Sequence, residues 1–358
     1  MDIAFLSYLN IIINPIDSQC NLNCKYCYAR ENTNNFAQTP LVFNECLILN
    51  WFAILISELN NITSLRTITF TWHGGEPLLL PIIFYSKILQ LQKKLLKKDI
   101  IFYNVIQTNG ILLTVKKAKL FHKLGFSIGI SFDGSEFEHN VDRFSSRKMF
   151  NRVRDNILNL SKNDIPFSIF TVIHERNINS EKKLLAYLER ISPKNGVSFL
   201  PRFNDKTFLD PDSYANFLIR LFNIWWPNRK PYIAIFENFI KGLQGEFPRF
   251  CFLTNRCNSF ISIDSKGQVY NACQIRDDMK IGDINTSPLE NILYKHLKKM
   301  NNIYKSIKNK SLKEYLGNGS QYKMFSGQGC IKRLNKLEDC YIKAFAKVIT
   351  HIEKSLVI

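Results

Sequence analysis

The stretch Cys20-Asn-Leu-Asn-Cys24-Lys-Tyr-Cys27, CNLNCKYC in one-letter code, places three cysteines within eight residues near the start of the chain. A structural zinc site uses four protein ligands, usually as paired C-x2-C units. Three thiolates at x3 and x2 spacing can instead hold three irons of a [4Fe–4S] cube and leave the fourth iron open to a small molecule. A three-cysteine zinc site with a distant fourth ligand is the alternative that this stretch alone leaves open.

The chain has nine cysteines in 358 residues, and most of them cluster at the front and in the last third. No secretory signal precedes Cys20, and no apolar run reaches membrane-spanning length, so we expect a cytoplasmic protein without a membrane-bound part. In a reducing cytosol, metal ligation explains clustered cysteines better than disulfides do. Cys46 stands apart among Leu47, Ile48 and Leu49, which predicts a buried small hydrophobic residue.

The composition predicts a globular protein, because hydrophobic residues make up 46% and charged residues 22%. The formal net charge is +18, which raises the question of a nucleic-acid partner. The basic residues are spread along the chain in short runs such as KKLLKK (93–98), at helical spacing. This pattern favours solvated helix faces, and an acidic peptide partner suits the surplus as well as RNA does.

Short β-rich runs alternate with amphipathic stretches over the first two thirds of the chain. The predicted strands are 10–14, 67–72, 101–107, 127–132, 167–173 and 197–200. The predicted helices are 44–59, 82–97, 115–124, 149–161, 180–191 and 211–225. Six βα units in series predict an α/β fold, a partial (β/α)6 TIM-like barrel with its chemistry at the C-terminal strand ends.

From about residue 236 the alternation stops, so we predict a barrel domain over 1–235 and a second, cysteine-rich domain over 236–358. Loops, cysteines and one hairpin are expected between Cys251 and Cys340. The hairpin signal is ISIDSKGQVYNAC (261–273), in which two alternating runs flank Asp264-Ser265-Lys266-Gly267. The tail, 341–358, has the pattern of a helix.

Three further motifs follow the second, third and fourth predicted strands, where barrel chemistry is expected. They are HGGEPLL (73–79), QTNG (107–110) and SFDG (131–134). In the first motif, Gly74 and Gly75 let the backbone approach closely, and Glu76 can accept a hydrogen bond from a ligand's ammonium group.

These motifs together resemble the radical S-adenosylmethionine enzymes: C-x3-C-x2-C with a Tyr before its last Cys, then GGEP, QTNG and ISFDGSEFEHNVDRF (130–144). The resemblance implies that Cys20, Cys24 and Cys27 hold a [4Fe–4S] cluster whose open iron binds S-adenosylmethionine, the source of a 5'-deoxyadenosyl radical. Arg143 would bind the methionine carboxylate, although a surface salt bridge is its other interpretation. The chain has Asn140 where the family often has Asp. The implied cofactor-binding residues are Tyr26, Gly74, Gly75, Glu76, Pro77, Asn109, Ser131, Arg143 and Leu200, with Tyr26 and Leu200 as adenine contacts.

The last third resembles the SPASM extension of radical enzymes that modify peptides and proteins. Matching it residue by residue implies one auxiliary [4Fe–4S] cluster, with Cys340 as an alternative to Cys251 and zinc as an alternative metal. The second cluster of the fuller versions is depleted, because Gly317, Ser320 and Ser326 occupy its ligand positions. The implied auxiliary ligands are Cys251, Cys257, Cys273 and Cys330.

The resemblance implies a peptide substrate and an electron donor such as flavodoxin or ferredoxin. The barrel is similar to that of anaerobic sulfatase maturases, which make formylglycine and typically have Asp where this chain has Gln274; Asp277 and Asp278 lie nearby as weak candidates for a catalytic base. We therefore expect a maturase of a ribosomally made peptide that forms a side-chain crosslink, cyclophane-type, with formylglycine formation as the alternative. The peptide's leader would pair along an exposed strand. A non-catalytic metal- or RNA-binding protein is a third hypothesis.

Overall fold

The structure is a computed structural model that describes residues 6–27, 43–202, 209–246, 259–271, 275, 279–306 and 338–356, with the backbone alone at 301–306 and 338–342. Strands and helices alternate from Tyr8 to Trp225 as the sequence predicts. The strands are β1 (Tyr8–Ile13), β2 (Thr67–Trp72), β3 (Ile101–Thr108), β4 (Phe126–Ser131), β5 (Ser168–Ile173) and β6 (Val197–Pro201). The helices are α1 (Glu45–Leu59), α2 (Ile82–Leu95), α3 (Val115–Lys123), α4 (Arg147–Lys162), α5 (Glu181–Ile191) and α6 (Pro211–Trp225).

Local sequence explains these elements. In β2, Ile68, Phe70 and Trp72 are buried in alternation with half-buried threonines, which is the period of a strand. Helix α1 begins after Asn44, whose side chain accepts a hydrogen bond from the backbone N–H of Leu47, a standard N-cap. Helices α2 to α6 also bury one apolar stripe each, as amphipathic helices do.

The C-terminal region has more regular structure than the sequence predicts. It contains α7 (Ala234–Leu243), β7 (Phe260–Ile263), β8 (Gln268–Tyr270), β9 (Lys280–Asp283), α8 (Leu289–Ser306) and α9 (Glu338–Leu356). The hairpin is confirmed, since β7 and β8 pair antiparallel around the turn that ends at Gly267. The expectation of loops is wrong at Leu289–Ser306. There, apolar residues recur at helical spacing and are buried: Leu289, Ile292, Leu293, Leu297 and Met300.

The chain divides into two compact units. The first comprises 1–130, 162–165 and 258–303, and the second comprises 131–161, 166–257 and 304–358. The predicted domain boundary after residue 235 lies inside α7 and stays a prediction.

In the first unit the strand order is β4-β3-β2-β1-β7-β8-β9. Strands β1 to β4 pair in parallel, and β7 also pairs in parallel with β1, from Asn10 opposite Phe260 to Ile13 opposite Ile263. The C-terminal hairpin therefore extends the same sheet that carries the cysteine stretch. The core under this sheet is aromatic: Trp51, Phe52, Phe70, Trp72, Phe84, Tyr85, Phe121 and Phe126.

In the second unit, β5 and β6 pair in parallel, and α9 packs against α6 and α7. Phe132 stacks on Phe150, and Phe345 of α9 contacts Tyr214 and Phe239. The predicted tail helix is thus present and begins earlier than expected, at Glu338.

One prediction about a single cysteine is wrong. Cys46 is exposed in the first turn of α1, because the buried stripe of that helix begins at Ile48 and continues through Trp51 and Phe52. Among the described residues, no helix combines the length and hydrophobicity needed to cross a membrane.

Candidate active site

The cysteine stretch lies on the loop that leaves the C-terminal end of β1. Cys20, Cys24 and Cys27 are all half-buried and none is in a disulfide. The backbone N–H of Cys27 donates to the carbonyl oxygen of Cys24 at 3.2 Å, which closes a turn between the last two cysteines. The backbone N–H of Leu22 is 3.4 Å from the sulfur of Cys20.

The GGEP motif holds this loop through its backbone. The N–H of Gly75 donates to the carbonyl of Asp17 at 2.7 Å, and the N–H of Glu76 donates to the carbonyl of Gln19 at 2.8 Å. A Cβ atom on Gly75 would lie 1.7 Å from the carbonyl oxygen of Gln19, so only glycine fits. Gly74 has a φ of +96°, and a Cβ there would lie 2.6 Å from the carbonyl of Asp17. The close approach that the sequence predicts is therefore an approach to the cysteine loop.

The carboxylate of Glu76 is fully buried and joins two loops. One oxygen accepts from the hydroxyl of Thr108 at 2.7 Å and from the N–H of Leu78 at 2.9 Å. The other accepts from the N–H of Asn109 at 2.8 Å. Burial raises the pKa of Glu76 to about 7, and these three hydrogen bonds oppose that rise. Pro77 opens a short 3-10 helix, and its carbonyl accepts from the hydroxyl of Tyr85 at 2.8 Å.

Asn109 connects the QTNG loop to the cysteine loop. Its side-chain NH2 is 2.7 Å from the oxygen of the Asn21 side chain and 3.7 Å from the sulfur of Cys20. Its side-chain oxygen accepts from the N–H of Ile111 at 3.0 Å. Three loops that follow β1, β2 and β3 are thus linked by hydrogen bonds.

The thiol of Cys20 is strongly desolvated. Burial, followed by the nearby charge of Glu76, raises its pKa to about 12. A coordinated thiol is deprotonated by its metal, so this thiol needs a cation to ionise there.

The donor set fits an iron–sulfur cluster with three cysteine ligands. Three cysteine thiols, none of them in a disulfide, lie on one loop, and two N–H groups point at the sulfur of Cys20, where such donors stabilise negative charge on a cluster ligand. Within the described ranges, no three His, Cys, Asp or Glu side chains already converge on one point.

The cysteine loop is also tied to the C-terminal hairpin. One oxygen of Asp17 accepts from the N–H of Ser265 at 3.0 Å, and the other accepts from its hydroxyl at 2.7 Å. The N–H of Asn14 donates to the carbonyl of Ile263 at 2.9 Å. The hairpin that the resemblance assigns to the auxiliary domain thus supports the start of the cysteine loop.

In the second unit, the predicted cofactor residue Arg143 forms a buried pair with Asp133. Its Nε and Nη2 atoms donate to the two carboxylate oxygens, each at 3.2 Å. One of these oxygens also accepts from the N–H of Val172 at 3.0 Å. Arg143 is therefore held in place by a carboxylate, and the surface salt bridge considered as its alternative is not what the structure shows.

Asn140 organises the loop between Asp133 and Arg143. Its side-chain oxygen accepts from the N–H of Asp133 at 2.9 Å. Its NH2 group donates to the carbonyls of Gly134 at 2.9 Å and Glu136 at 2.8 Å. An aspartate lacks these two donors, which explains how this chain uses Asn where the family often has Asp.

Two buried histidines link this loop to the loop after β5. The Nδ1 atom of His174 accepts from the N–H of Arg176 at 3.2 Å, so its Nε2–H donates to the carbonyl of His139 at 3.1 Å. The Nε2 atom of His139 lies 3.0 Å from the hydroxyl of Ser180. Burial lowers the pKa of both rings, and nearby carboxylates, Glu136 and Asp133 respectively, oppose it.

The remaining predicted residues fall into three groups. Tyr26 is half-buried on the cysteine loop in the first unit, while Ser131 at the end of β4 and Leu200 in β6 are half-buried in the second. Cys340 lies in the first turn of α9, described by its backbone alone. The predicted residues outside the described ranges are Cys251, Cys257, Cys273, Cys330, Asp277 and Asp278.

The sequence predictions include the loops of the candidate site, but they assign no role to several polar residues in those loops. Asp133 lies in SFDG and Thr108 in QTNG, directly after or at the ends of strands, and both are buried. Asn177 is equally buried, and its NH2 donates to the carbonyl of Asp133 at 2.8 Å. Only the positions of these residues at strand ends could have indicated a role. Their hydrogen-bond partners depend on which loops meet in the folded protein.

Comparison with known proteins gives concordant results. A family model described as the Radical SAM superfamily matches residues 15–188. The chain is 30% identical over 295 residues to a cysteine-type anaerobic sulfatase-maturating enzyme of Clostridium novyi (strain NT), covering 77% of this chain and 76% of that protein. It is 29% identical over 320 residues to a serine-type anaerobic sulfatase-maturating enzyme of Bacteroides thetaiotaomicron, covering 81% of this chain and 75% of that protein.

A solved structure, that of native anSMEcpe with bound AdoMet, superposes on the chain with a TM-score of 0.80 at 21% identity over 98% of each chain. This match confirms the predicted fold class, an α/β partial barrel.

Proposed function

The chain belongs to the radical SAM superfamily, and on this basis we propose that it oxidises a cysteine or serine side chain of a sulfatase to formylglycine. The single observation that carries the proposal is the loop with three cysteine thiols at x3 and x2 spacing, held by the backbone of Gly75 and Glu76. Both relatives described above are named as sulfatase-maturating enzymes, which favours this product over the crosslink that the sequence predicts.

Cys20, Cys24 and Cys27 would hold a [4Fe–4S] cluster, with S-adenosylmethionine as the cosubstrate. When bound, these would supply a 5'-deoxyadenosyl radical that would take one hydrogen atom from the substrate. Arg143, which pairs with Asp133, would bind the methionine carboxylate through its planar guanidinium. Glu76 and Asn109 keep the loops after β2 and β3 against the cysteine loop.

The substrate side chain loses two hydrogens in this reaction. The first leaves as an atom to the deoxyadenosyl radical; the second leaves as a proton while its electron passes to an acceptor. A serine then carries the aldehyde directly, whereas a cysteine becomes a thioaldehyde that water converts to the aldehyde with release of hydrogen sulfide. We propose that Cys251, Cys257, Cys273 and Cys330 would hold an auxiliary cluster, with Cys340 able to replace Cys251, and that this cluster would supply an electron acceptor. Asp277 and Asp278 are weak candidates for the base.

The physiological setting follows from this chemistry. A low-potential protein such as flavodoxin or ferredoxin would supply electrons, and the cytoplasm would keep the thiols reduced.

A second candidate is the predicted cyclophane-type crosslink in a ribosomally made peptide. The observation that supports it is Gln274, which replaces the Asp that sulfatase maturases typically carry, together with the depleted second ligand set at Gly317, Ser320 and Ser326.

The two candidates are separated by one experiment. The protein is purified without oxygen, loaded with iron and sulfide, and incubated with dithionite, S-adenosylmethionine and sulfatase-derived peptides that differ only in Cys or Ser. We expect 5'-deoxyadenosine and a peptide that reacts with a hydrazide. Loss of two hydrogens without hydrazide reactivity would identify a crosslink instead.

Cys24→Ala is the control variant. It should bind the peptide and produce no 5'-deoxyadenosine. If the wild-type protein also produced none under these conditions, the proposed chemistry would be wrong.

A further inference from the structure

The orientation of the Asn109 side chain is fixed by its neighbours. A backbone N–H can only donate, so the N–H of Ile111, 3.0 Å away, must face the amide oxygen. The NH2 end of Asn109 is therefore directed at the cysteine loop. There it lies 2.7 Å from the side-chain oxygen of Asn21 and 3.7 Å from the sulfur of Cys20.

The backbone of Asn109 is fixed as well. Its N–H donates to the buried carboxylate of Glu76 at 2.8 Å, and the hydroxyl of Thr108 donates to the other oxygen of that carboxylate at 2.7 Å. Glu76 in turn donates its own N–H to the carbonyl of Gln19, the residue before Cys20. The amide and the sulfur are thus positioned by one continuous network.

Cys20 receives a second N–H group from the backbone of Leu22 at 3.4 Å. Donors of this kind stabilise negative charge on a thiolate, and they matter most where water is excluded. Cys20 is partly shielded from water, since it is half-buried.

We propose that Asn109 is a positioning residue that sets the reduction potential of the [4Fe–4S] cluster through an N–H···S hydrogen bond to Cys20. The inference rests on the proposed function, since it concerns the cluster that the three cysteines would hold. An N–H donor at a ligand sulfur stabilises the reduced, more negative cluster, so it raises the potential. S-adenosylmethionine cleavage needs a cluster that its electron donor can reduce, and a higher potential makes that reduction more favourable.

The test uses two variants that remove the donor in different ways. Asn109→Asp keeps the size and the acceptor for Ile111 but adds a charge; Asn109→Leu keeps neutrality but loses the acceptor. Both should shift the midpoint potential to more negative values in a titration followed by electron paramagnetic resonance. The relevant signal is the one that changes when S-adenosylmethionine is added.

Thr108→Val is the matched control. It removes a hydrogen bond to Glu76 in the same loop and leaves both donors to Cys20 in place, so its potential should equal that of the wild-type protein. An equal shift in Thr108→Val would mean that loop integrity, and not the amide, sets the potential, and the inference would be wrong.

A second measurement needs no variant. Wild-type protein labelled with 15N only at asparagine side-chain amides should show a 15N coupling to the reduced cluster in pulsed resonance spectra. No coupling, or unchanged potentials in Asn109→Asp and Asn109→Leu, would overturn the role of Asn109 and leave the proposed function standing. A wild-type protein without any signal that responds to S-adenosylmethionine would instead overturn the proposed function and this inference with it.

Discussion

At the scale of single residues, two consecutive N–H groups decide where the cysteine loop lies. Gly75 and Glu76 donate to the carbonyls of Asp17 and Gln19, and the space between the two backbones excludes any side chain at Gly75. A motif that looks like a ligand-binding turn is therefore also a structural clamp. Gly75 is required because of its close contact with the backbone of Gln19, whether or not a ligand is bound.

Gly75→Ala should destabilise the protein by at least about 3 kcal/mol, because the new Cβ overlaps a carbonyl and must break both hydrogen bonds. The measurement is urea unfolding followed by circular dichroism.

Gly125→Ala is the comparison, since a Cβ there meets nothing within 4 Å while its φ of +79° is strained. It should lose only about 1–2 kcal/mol. Equal losses in the two variants would show that the clamp is not as tight as its geometry indicates.

Arg143→Ala should cost about 3–5 kcal/mol of stability, because it leaves the buried carboxylate of Asp133 without its cation. Adding Asp133→Asn should restore part of that loss, as a double-mutant cycle in denaturant would show. Binding of S-adenosylmethionine, measured by calorimetry on the iron-loaded protein, should stay weak in both variants. Full recovery of binding in the double variant would contradict a cofactor role for Arg143.

Asn140→Asp should destabilise the protein by about 2 kcal/mol, although the family often has Asp there. The substitution places carboxylate oxygens against the carbonyls of Gly134 and Glu136 and removes the side-chain NH2 group that donates to both. Thermal unfolding at neutral pH measures this loss. Asn140→Asp with unchanged stability would mean that the loop can rearrange to the other residue.

At the scale of elements, the loops after β4 and β5 are joined through histidine. His174 bonds to the carbonyl of His139, and Asn177 bonds to the carbonyl of Asp133. Burial lowers the pKa of both rings, so protonating either one disfavours the folded state of the second unit.

Stability should therefore depend on pH through these rings. In the folded state the pKa of His174 lies below its ordinary value of 6.5, so the unfolded chain binds more protons near that pH. The contribution of the neutral ring to the free energy of unfolding is therefore lost as pH falls below about 6.5. His174→Gln should lose less stability than the wild-type protein between pH 7 and pH 5.5 in urea titrations. Glu76 acts in the opposite direction, because its raised pKa favours the folded state at lower pH. Since Glu76 is present in both proteins, the difference in unfolding free energy between the wild-type protein and His174→Gln is the quantity to compare. Parallel stability curves would contradict the assignment.

The sequence predicts the elements of the barrel well, because strand and helix periods are local properties. The alternation of Ile68, Phe70 and Trp72 predicts a strand, and Asn44 predicts the start of a helix. The sequence also locates the loops of the candidate site at strand ends. It does not predict that Glu76 bonds to Asn109, or that Arg143 bonds to Asp133, since those contacts depend on how separate loops meet in space.

The failures have similar causes. Cys46 has apolar neighbours in sequence, yet it lies outside the buried stripe of α1. Its burial is determined by the helix face on which it lies and not by its sequence neighbours. Helix α8 has a clear apolar period over Leu289–Ser306, but the prediction for this region rested on its cysteines and turn signals alone.

At the scale of the whole molecule, chain order and compact units do not coincide. Residues 258–303 belong to the first unit with the cysteine loop, although more than 200 residues separate them in sequence. Strand β7 covers the edge of β1 that would otherwise present unpaired backbone groups.

A chain that ends at residue 235 should consequently aggregate. It keeps all six barrel strands but uncovers the edge of β1 and the apolar residues Ile11 and Ile13 that β7 pairs with. Sedimentation of the purified fragment would measure this. A soluble, monomeric fragment with native-like near-ultraviolet circular dichroism would show that the barrel needs no C-terminal strand.

The bond between Asp17 and Ser265 bears on any attempt to exchange substrate preference between relatives. A chimera assembled at a single crossover would combine a cysteine loop from one parent with a supporting turn from the other. The segment to exchange is therefore discontinuous, and residues 8–27 have to come from the same parent as residues 258–303. Recombination experiments that respect this pairing should yield folded hybrids more often than those that cut the chain once.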